Sequence, residues 1–352
     1  MKKKTLSLLI KPVSGTCNMQ CSYCFYKNNN GTMTTKTAEL LIRRALEKQC
    51  DITFAFQGGE PTLWGLENFQ FFVKTVNKLN MDGVNISYGL QTNGLVINDE
   101  WAKFFYENKF LIGLSIDGLK DTHDANRIDN QGEKTFLRVI GTARLFKKYN
   151  VDFNVLTVVR DQNARDAVKI YRYFKAQGFR HLQFIPCIDN FGVEQFGLTP
   201  ERYEKFLTAL FEAWHKDYIA RDYVSVRHID NLIGILQGRP PESCAYSGKC
   251  GVYFVIESDG GLYPCDFYCT DRWRLGSIEN ENCFELTNKH KEFLAMSAVP
   301  LPECETCELY NMCRGGCRRD REPNLIANKY CSSYKAYYPT VKKLLKLSNM
   351  MK

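Results

Sequence analysis

The 352-residue chain reads as an α/β protein, a partial (β/α)6 barrel followed by a smaller cysteine-rich module. Three observations predict this. Short apolar runs alternate with helical patterns from residue 5 to about 190. After Cys244 the chain turns cysteine-rich with little periodicity, as in a module held by metal rather than by a core. And fifteen cysteines sit in a chain without secretory features, where disulfides do not account for them, the more so as the count is odd.

The predicted strands are "LSLLIK", "ITFAFQ", "NISYGLQ", "FLIGLSID", "DFNVLTVV" and "HLQFIP". Between the first two, Ala38, Leu41, Ile42, Ala45 and Leu46 recur at helical spacing. Repeated βα units imply a parallel sheet whose functional loops lie at the C-terminal strand ends. Residues 1–198 form this barrel. Thr199-Pro200-Glu201, with Thr as N-cap and Pro at the first helical position, opens a helical bridge over 199–240 that "GRPPES" terminates. The cysteine-rich module then occupies 241–332 and an amphipathic helix 333–352, packing back on the body.

With 44% hydrophobic and 24% charged residues the composition is that of an ordinary globular protein. No apolar run reaches the length of a membrane span. The opening "MKKKTLSLLIKP" has a basic tip, but its apolar stretch stops at Pro12 and suits a buried strand, so a cytoplasmic protein is expected. A formal charge of +8 raises the question of a polyanionic partner.

"CNMQCSYCFY", residues 17 to 26, places Cys17, Cys21 and Cys24 as C-x3-C-x2-C in the loop after the first strand. A structural zinc site closes with four ligands, whereas a site that also binds a reactant keeps a position open. Three thiolates suit a [4Fe-4S] cube whose fourth iron takes an exogenous ligand; a zinc site completed by a distant histidine is the competing reading. The motif, with an aromatic, Tyr23, before its third cysteine, resembles that of the radical S-adenosylmethionine (SAM) superfamily, in which the SAM amino and carboxylate groups chelate the open iron. "QGGEP", residues 57 to 61, alone reads as a turn, but it follows the second strand as the superfamily's GGE motif does. The resemblance implies that Gly58, Gly59 and Glu60 meet the SAM amino group. It places Ser115 and Arg127 near the carboxylate and ribose, and adds Tyr23 and Ile188 to the SAM contacts. Capping or salt-bridging roles are the alternative for Ser115, Asp117 and Arg127.

In the C-terminal module, Cys304-x2-Cys307-x5-Cys313-x3-Cys317 and then Cys331 are preceded by Cys244, Cys250 and Cys265. This resembles the SPASM extension, which carries two auxiliary [4Fe-4S] clusters; zinc is again the alternative. By position, Cys244, Cys250, Cys265 and Cys317 would hold the first and Cys304, Cys307, Cys313 and Cys331 the second. Cys50, Cys187, Cys269 and Cys283 are left as ordinary thiols, Cys269 lying near the first set. With eleven cluster thiolates, two clusters of ~−2 and one of ~−1 bring the charge to roughly +3, and neither nucleic acid nor membrane is expected as partner.

"YPCDFY", residues 263 to 268, joins Cys265 to a carboxylate, Asp266. A base beside an electron acceptor serves a substrate that must lose a proton and an electron together. This segment, with "FAFQGGEPT" at 54–62, "LQTNG" at 90–94, "ESDG" at 257–260 and "WRLG" at 273–276, is similar nearly end to end to the anaerobic sulfatase-maturating enzymes. The chain is shorter than such proteins chiefly around 27–32 and carries Pro186 where the sixth strand ends. The resemblance implies SAM and three [4Fe-4S] clusters, and oxidation of a sulfatase cysteine or serine, in a Cys/Ser-x-Pro-x-Arg type segment, to Cα-formylglycine. A 5′-deoxyadenosyl radical would take a Cβ hydrogen, Asp266 the thiol or hydroxyl proton, and an auxiliary cluster the electron, with Tyr26 orienting the target. An electron donor such as flavodoxin or ferredoxin is implied. The alternative enzyme is a SPASM-type maturase that crosslinks another ribosomal peptide, but Cys17 leaves little room for the N-terminal peptide-recognition domain common there. A non-catalytic iron or zinc module is the reading from a different class.

Overall fold

Each expected strand forms within two residues of its predicted span. The computed structural model describes residues 5–26, 30–188, 197–298, 301–321 and 327–347, so part of the 27–32 segment and the end of the C-terminal tail lie outside the described residues. The strands are β1 (Thr5–Ile10), β2 (Asp51–Phe56), β3 (Ile86–Thr92), β4 (Phe110–Ser115), β5 (Phe153–Val159), β6 (His181–Pro186), β7 (Ser225–Val226), β8 (Phe254–Ile256), β9 (Gly261–Tyr263) and β10 (Gly276–Ser277). Two compact units divide the chain at places other than the sequence segments. One comprises Met1–Ser115, Asn126–Phe153 and Gly251–Leu294; the other comprises Ile116–Ala125, Asn154–Cys250 and Ala295–Lys352.

In the first unit the strand order is β10-β9-β8-β1-β2-β3-β4. β1 through β4 are parallel neighbours, with Ile10 opposite Phe56 and Phe56 opposite Leu90. β8 continues the sheet parallel to β1, and β9 and β10 return antiparallel, so the sheet is mixed. The first part of the cysteine-rich segment thus belongs to the barrel's sheet rather than to a freestanding module. Helix Thr35–Leu46 buries Ala38, Leu41, Ile42 and Ala45, the face its periodicity predicts, and Thr34 caps its N-terminus by accepting from Thr37 N–H. Behind β2, Phe56 packs edge-on against Phe69 and Phe72, with ring centroids 4.9 and 5.2 Å apart. Each such ring contributes roughly 1.5–3 kcal/mol by leaving water.

The second unit holds most of β5, then β6 and β7 in parallel register. β7 interrupts the stretch expected to be a helical bridge. Helix Pro200–Ile219 starts where Thr199 caps it, the side chain accepting from Arg202 N–H. Helix Cys331–Leu347 packs against it: Phe211 meets Tyr337 at 6.0 Å, Ser333 Oγ donates to Pro200 O at 2.6 Å, and just before the helix Tyr330 meets Tyr203 at 4.6 Å. The helix accommodates Pro339 in its interior.

What positions the functional loops is a backbone contact between the ends of β1 and β2. Gln57 N–H donates to Ile10 O, Gly59 N–H to Ser14 O at 2.6 Å and Glu60 N–H to Thr16 O at 2.8 Å. A Cβ on Gly59 would lie 2.0 Å from Thr16 O, and one on Gly58, whose φ is +126°, 2.7 Å from Ser14 O. Neither position admits a side chain without moving backbone.

Two predictions follow from these arrangements. Gly59→Ala should destabilise the protein by about 3 kcal/mol, since overpacking against backbone cannot be relieved by a rotamer change; chemical denaturation measures this, and a loss near zero would mean the loop after β1 shifts freely. The second concerns acid. Burial holds the His228 imidazole down to about 4, with the Tyr246 hydroxyl 2.6 Å from Nδ1. The folded state therefore disfavours the protonated ring, and stability present above about pH 6.5 drains away as pH falls toward 4. Between pH 7 and 5 the loss is about 2 kcal/mol, and His228→Gln should flatten that part of the pH–stability curve.

Candidate active site

Cys17, Cys21 and Cys24 lie in the loop that leaves β1. Met19 N–H donates to Cys17 Sγ at 3.4 Å, and Asn93 Nδ2 lies 3.8 Å from the same sulfur. Burial pushes the Cys17 thiol up to about 12, against the Met19 N–H, with Glu60, Cys21 and Cys24 adding to the rise. A thiol in that setting ionises when a metal binds it, and N–H donors to sulfur are characteristic of iron–sulfur sites. The three-cysteine donor set therefore fits a cluster. Tyr23 is buried and its hydroxyl accepts from Arg127 Nη1 at 2.7 Å, which brings together two residues expected at the SAM site.

Glu60 is fully buried and reaches sideways to β3. Its carboxylate accepts from Thr62 N–H, Thr62 Oγ1, Thr92 Oγ1 and Asn93 N–H at 2.6–3.1 Å. Burial raises its pKa, and these donors, Asn93 N–H first, oppose the rise. Asn93 then donates to Asn18 Oδ1 at 2.7 Å. The ends of β2 and β3 are thereby tied to the cysteine loop that leaves β1. Ser115 closes β4, buried. Asp117 is buried in the second unit, where it accepts from Val158 N–H at 3.1 Å. Ile188 sits half-buried just past β6.

Asp266 follows Cys265 in a single turn of 3-10 helix after β9. Its Oδ1 lies 2.7 Å from Lys11 Nζ, and its Oδ2 accepts from Gln57 Nε2 at 2.8 Å. Lys11 is completely buried at the end of β1, with Glu257 Oε1 at 3.8 Å, Cys269 Sγ at 3.6 Å and the Tyr26 ring centroid at 3.2 Å. Burial pulls its pKa down, but Asp266, Cys269 and Glu257 outweigh that and hold it above the ordinary lysine value. The Tyr26 hydroxyl donates to Glu257, whose other oxygen accepts from Ser14 Oγ at 2.7 Å. Cys269 is thus occupied by Lys11, and burial holds its thiol well above the usual range.

Sequence reading singled out Asp266 and Tyr26 but missed Lys11, Gln57, Glu257 and Asn93. The available signal was a lysine ending an otherwise apolar strand run, directly before Pro12 at the functional end of the sheet.

In the second unit, Cys304, Cys307, Cys313 and Cys331 line one cavity of about 170 Å³ together with Tyr310 and Tyr334. Burial raises the Cys313 thiol, and the other three cysteines add to the rise. Among the described residues no three His, Cys, Asp or Glu side chains are placed to grip a single ion. Four thiols around a space this size suit a four-iron cube better than a tetrahedral zinc with ~2.3 Å bonds. Cys244, Cys250 and Cys317 also belong to this unit, Cys265 to the first, where the Tyr253 hydroxyl lies 3.9 Å from its sulfur. No disulfide joins any of the fifteen cysteines. No helix among the described residues is long and apolar enough to cross a membrane.

Residues 12–174 match the radical SAM superfamily. The cysteine-type anaerobic sulfatase-maturating enzyme of Clostridium novyi (strain NT) is 43% identical, the alignment covering 95% of each chain. A serine-type enzyme of Klebsiella pneumoniae is 31% identical over 95% of this chain and 87% of its own. The solved structure of native anSMEcpe with bound AdoMet and Cp18Cys peptide superposes with a TM-score of 0.93 at 44% identity, covering 99% of this chain and 100% of that one. Streptococcus suis SuiB bound to S-adenosylmethionine, at 16% identity and a TM-score of 0.65 over 92% of this chain and 75% of that one, shares the fold. With that fold, the three-cysteine loop and the end-to-end identity, the chain belongs to the anaerobic sulfatase-maturating enzymes of the radical SAM superfamily.

Proposed function

We propose that this enzyme oxidises a sulfatase cysteine, in a Cys-x-Pro-x-Arg type segment, to Cα-formylglycine. The observation that carries the reading is Asp266, a buried carboxylate gripped by Lys11 and Gln57 and joined through the backbone to Cys265. Cysteine rather than serine is favoured because relatives named cysteine-type are 43–44% identical and those named serine-type 29–31%. The alternative, maturation of another ribosomal peptide, has less support: SuiB, solved with a precursor peptide, is only 16% identical, a likeness of fold alone.

Cys17, Cys21 and Cys24 would hold the cluster that binds SAM, Cys244, Cys250, Cys265 and Cys317 the first auxiliary cluster, and Cys304, Cys307, Cys313 and Cys331 the second. Bound there, SAM and the clusters supply a hydrogen-abstracting radical and a sink for one electron. Gly58 and Gly59 keep the loop's backbone in place, and Tyr23 with Arg127 forms a wall beside the cysteines. Asp266 takes the proton from the target thiol. Loss of a Cβ hydrogen atom, that proton and an electron leaves a thioaldehyde, which water converts to the aldehyde with release of hydrogen sulfide. Phe25, still 36% exposed, packs on Phe267 with centroids 5.0 Å apart and offers apolar surface to the peptide. A cytoplasmic flavodoxin- or ferredoxin-type donor would supply the electron that starts the cycle.

Anaerobically reconstituted protein should carry about twelve irons, and replacing Cys17, Cys21 and Cys24 together by Ala should remove about four while abolishing SAM cleavage. Stoichiometric zinc with little iron would refute the three-cluster reading. Asp266→Asn is nearly isosteric and removes only proton acceptance. It should still form 5′-deoxyadenosine with peptide but make formylglycine at least ~10²-fold more slowly, as followed by mass spectrometry. Near-normal aldehyde formation would make Asp266 a turn residue.

A further inference from the structure

Lysine is almost never completely buried unless it is paired, and each buried ion carries a desolvation cost of several kcal/mol. Lys11 is at 0% exposure. Packing between β1 and the turn after β9 would be served as well by apolar side chains of similar volume. What an ammonium adds is direction. It sits 2.7 Å from Asp266 Oδ1 while Gln57 occupies Oδ2 at 2.8 Å, so both oxygens of a short side chain are pinned and its plane is set. The same ammonium lies 3.2 Å over the Tyr26 ring, whose hydroxyl is tied to Glu257. One cation thus joins the cysteine loop to the turn that carries Asp266.

We propose that Lys11 is a positioning residue for proton removal, aiming the Asp266 carboxylate while it holds the Tyr26 ring over its ammonium. The inference rests on the reading of Asp266 as proton acceptor. Lys11 acts through Asp266, the carboxylate it meets at 2.7 Å. A displacement of about 1 Å at a reacting group costs on the order of 10²-fold in rate, and losing the ammonium frees Asp266 by that much.

The test is Lys11→Met in the full-length, anaerobically reconstituted enzyme, with a synthetic Cys-x-Pro-x-Arg peptide and SAM. Iron, 5′-deoxyadenosine, formylglycine and peptide KM are measured, with Asp266→Asn run beside it. The expected result is full iron, peptide KM within about threefold, and formylglycine per 5′-deoxyadenosine reduced by roughly 10- to 100-fold. A general packing defect would move KM and iron as well. A normal product ratio overturns the inference. If Lys11→Met does not hold its iron, Lys11→Met/Glu257→Gln restores the buried net charge of one lysine and two carboxylates, and its ratio is read in the same way. Loss of iron in both variants makes Lys11 a folding residue and also overturns the inference. If Asp266→Asn uncouples the products and Lys11→Met does not, only the inference fails; if Asp266→Asn keeps a normal ratio, the base reading fails and takes the inference with it.

Discussion

The site depends on how closely two backbones approach at the ends of β1 and β2. Gly59 lies against Thr16 O and Gly58 against Ser14 O, so the loop bearing Cys17, Cys21 and Cys24 is laid directly on the QGGEP turn. The hydrogen bonds from Gly59 and Glu60 N–H satisfy the carbonyls of Ser14 and Thr16; Ser14 is buried, and its carbonyl left without a partner would cost about 1–3 kcal/mol. The two glycines therefore work first as a floor for the cysteine loop. On the proposed reading, in which three thiols hold a cluster, the loop would have no fourth protein ligand, so its backbone would need to be fixed from beneath.

Around that floor the buried charges are arranged in two groups that differ in kind. Lys11, Asp266 and Glu257 form a mixed group in which opposite charges sit within 3.8 Å, and the ammonium stays charged because its neighbours outweigh its desolvation. Glu60, among the described residues, has no cation as hydrogen-bond partner and is held by N–H and O–H donors. The first arrangement sets direction between segments far apart in sequence. The second ties neighbouring strand ends.

Much of this was legible in the sequence where the signal is local. Strand positions followed from apolar runs, and the helix at Pro200 from its Thr199 cap. The thiols around the second-unit cavity followed from spacing plus resemblance. What escaped depends on pairing across long separations. β8 joins β1 from some 240 residues away, and three-residue strands carry too few side chains to show a period. β7 is shorter still. Lys11 looked like a polar residue ending a strand, and Glu257 like part of a turn, because neither betrays burial until Asp266 and Tyr26 are folded onto them. The amphipathic C-terminal helix, by contrast, was expected from its pattern, and packing against Pro200–Ile219 sustains it through Pro339.

Glu60 shows why the motif needs a carboxylate rather than an amide of the same shape. Its two oxygens accept four hydrogen bonds, from two backbone N–H groups and two hydroxyls, and an ionised carboxyl is acceptor-only. Glutamine would turn an NH₂ toward at least one backbone N–H, leaving a buried donor unsatisfied at a cost of about 1–3 kcal/mol. The hydroxyls of Thr62 and Thr92 can rotate to accept instead; Asn93 N–H cannot. That amide sets where Asn93 stands, and Asn93 in turn donates to Asn18 and approaches Cys17 Sγ. A glutamate on β2's exit thus acts on Cys17 through the end of β3.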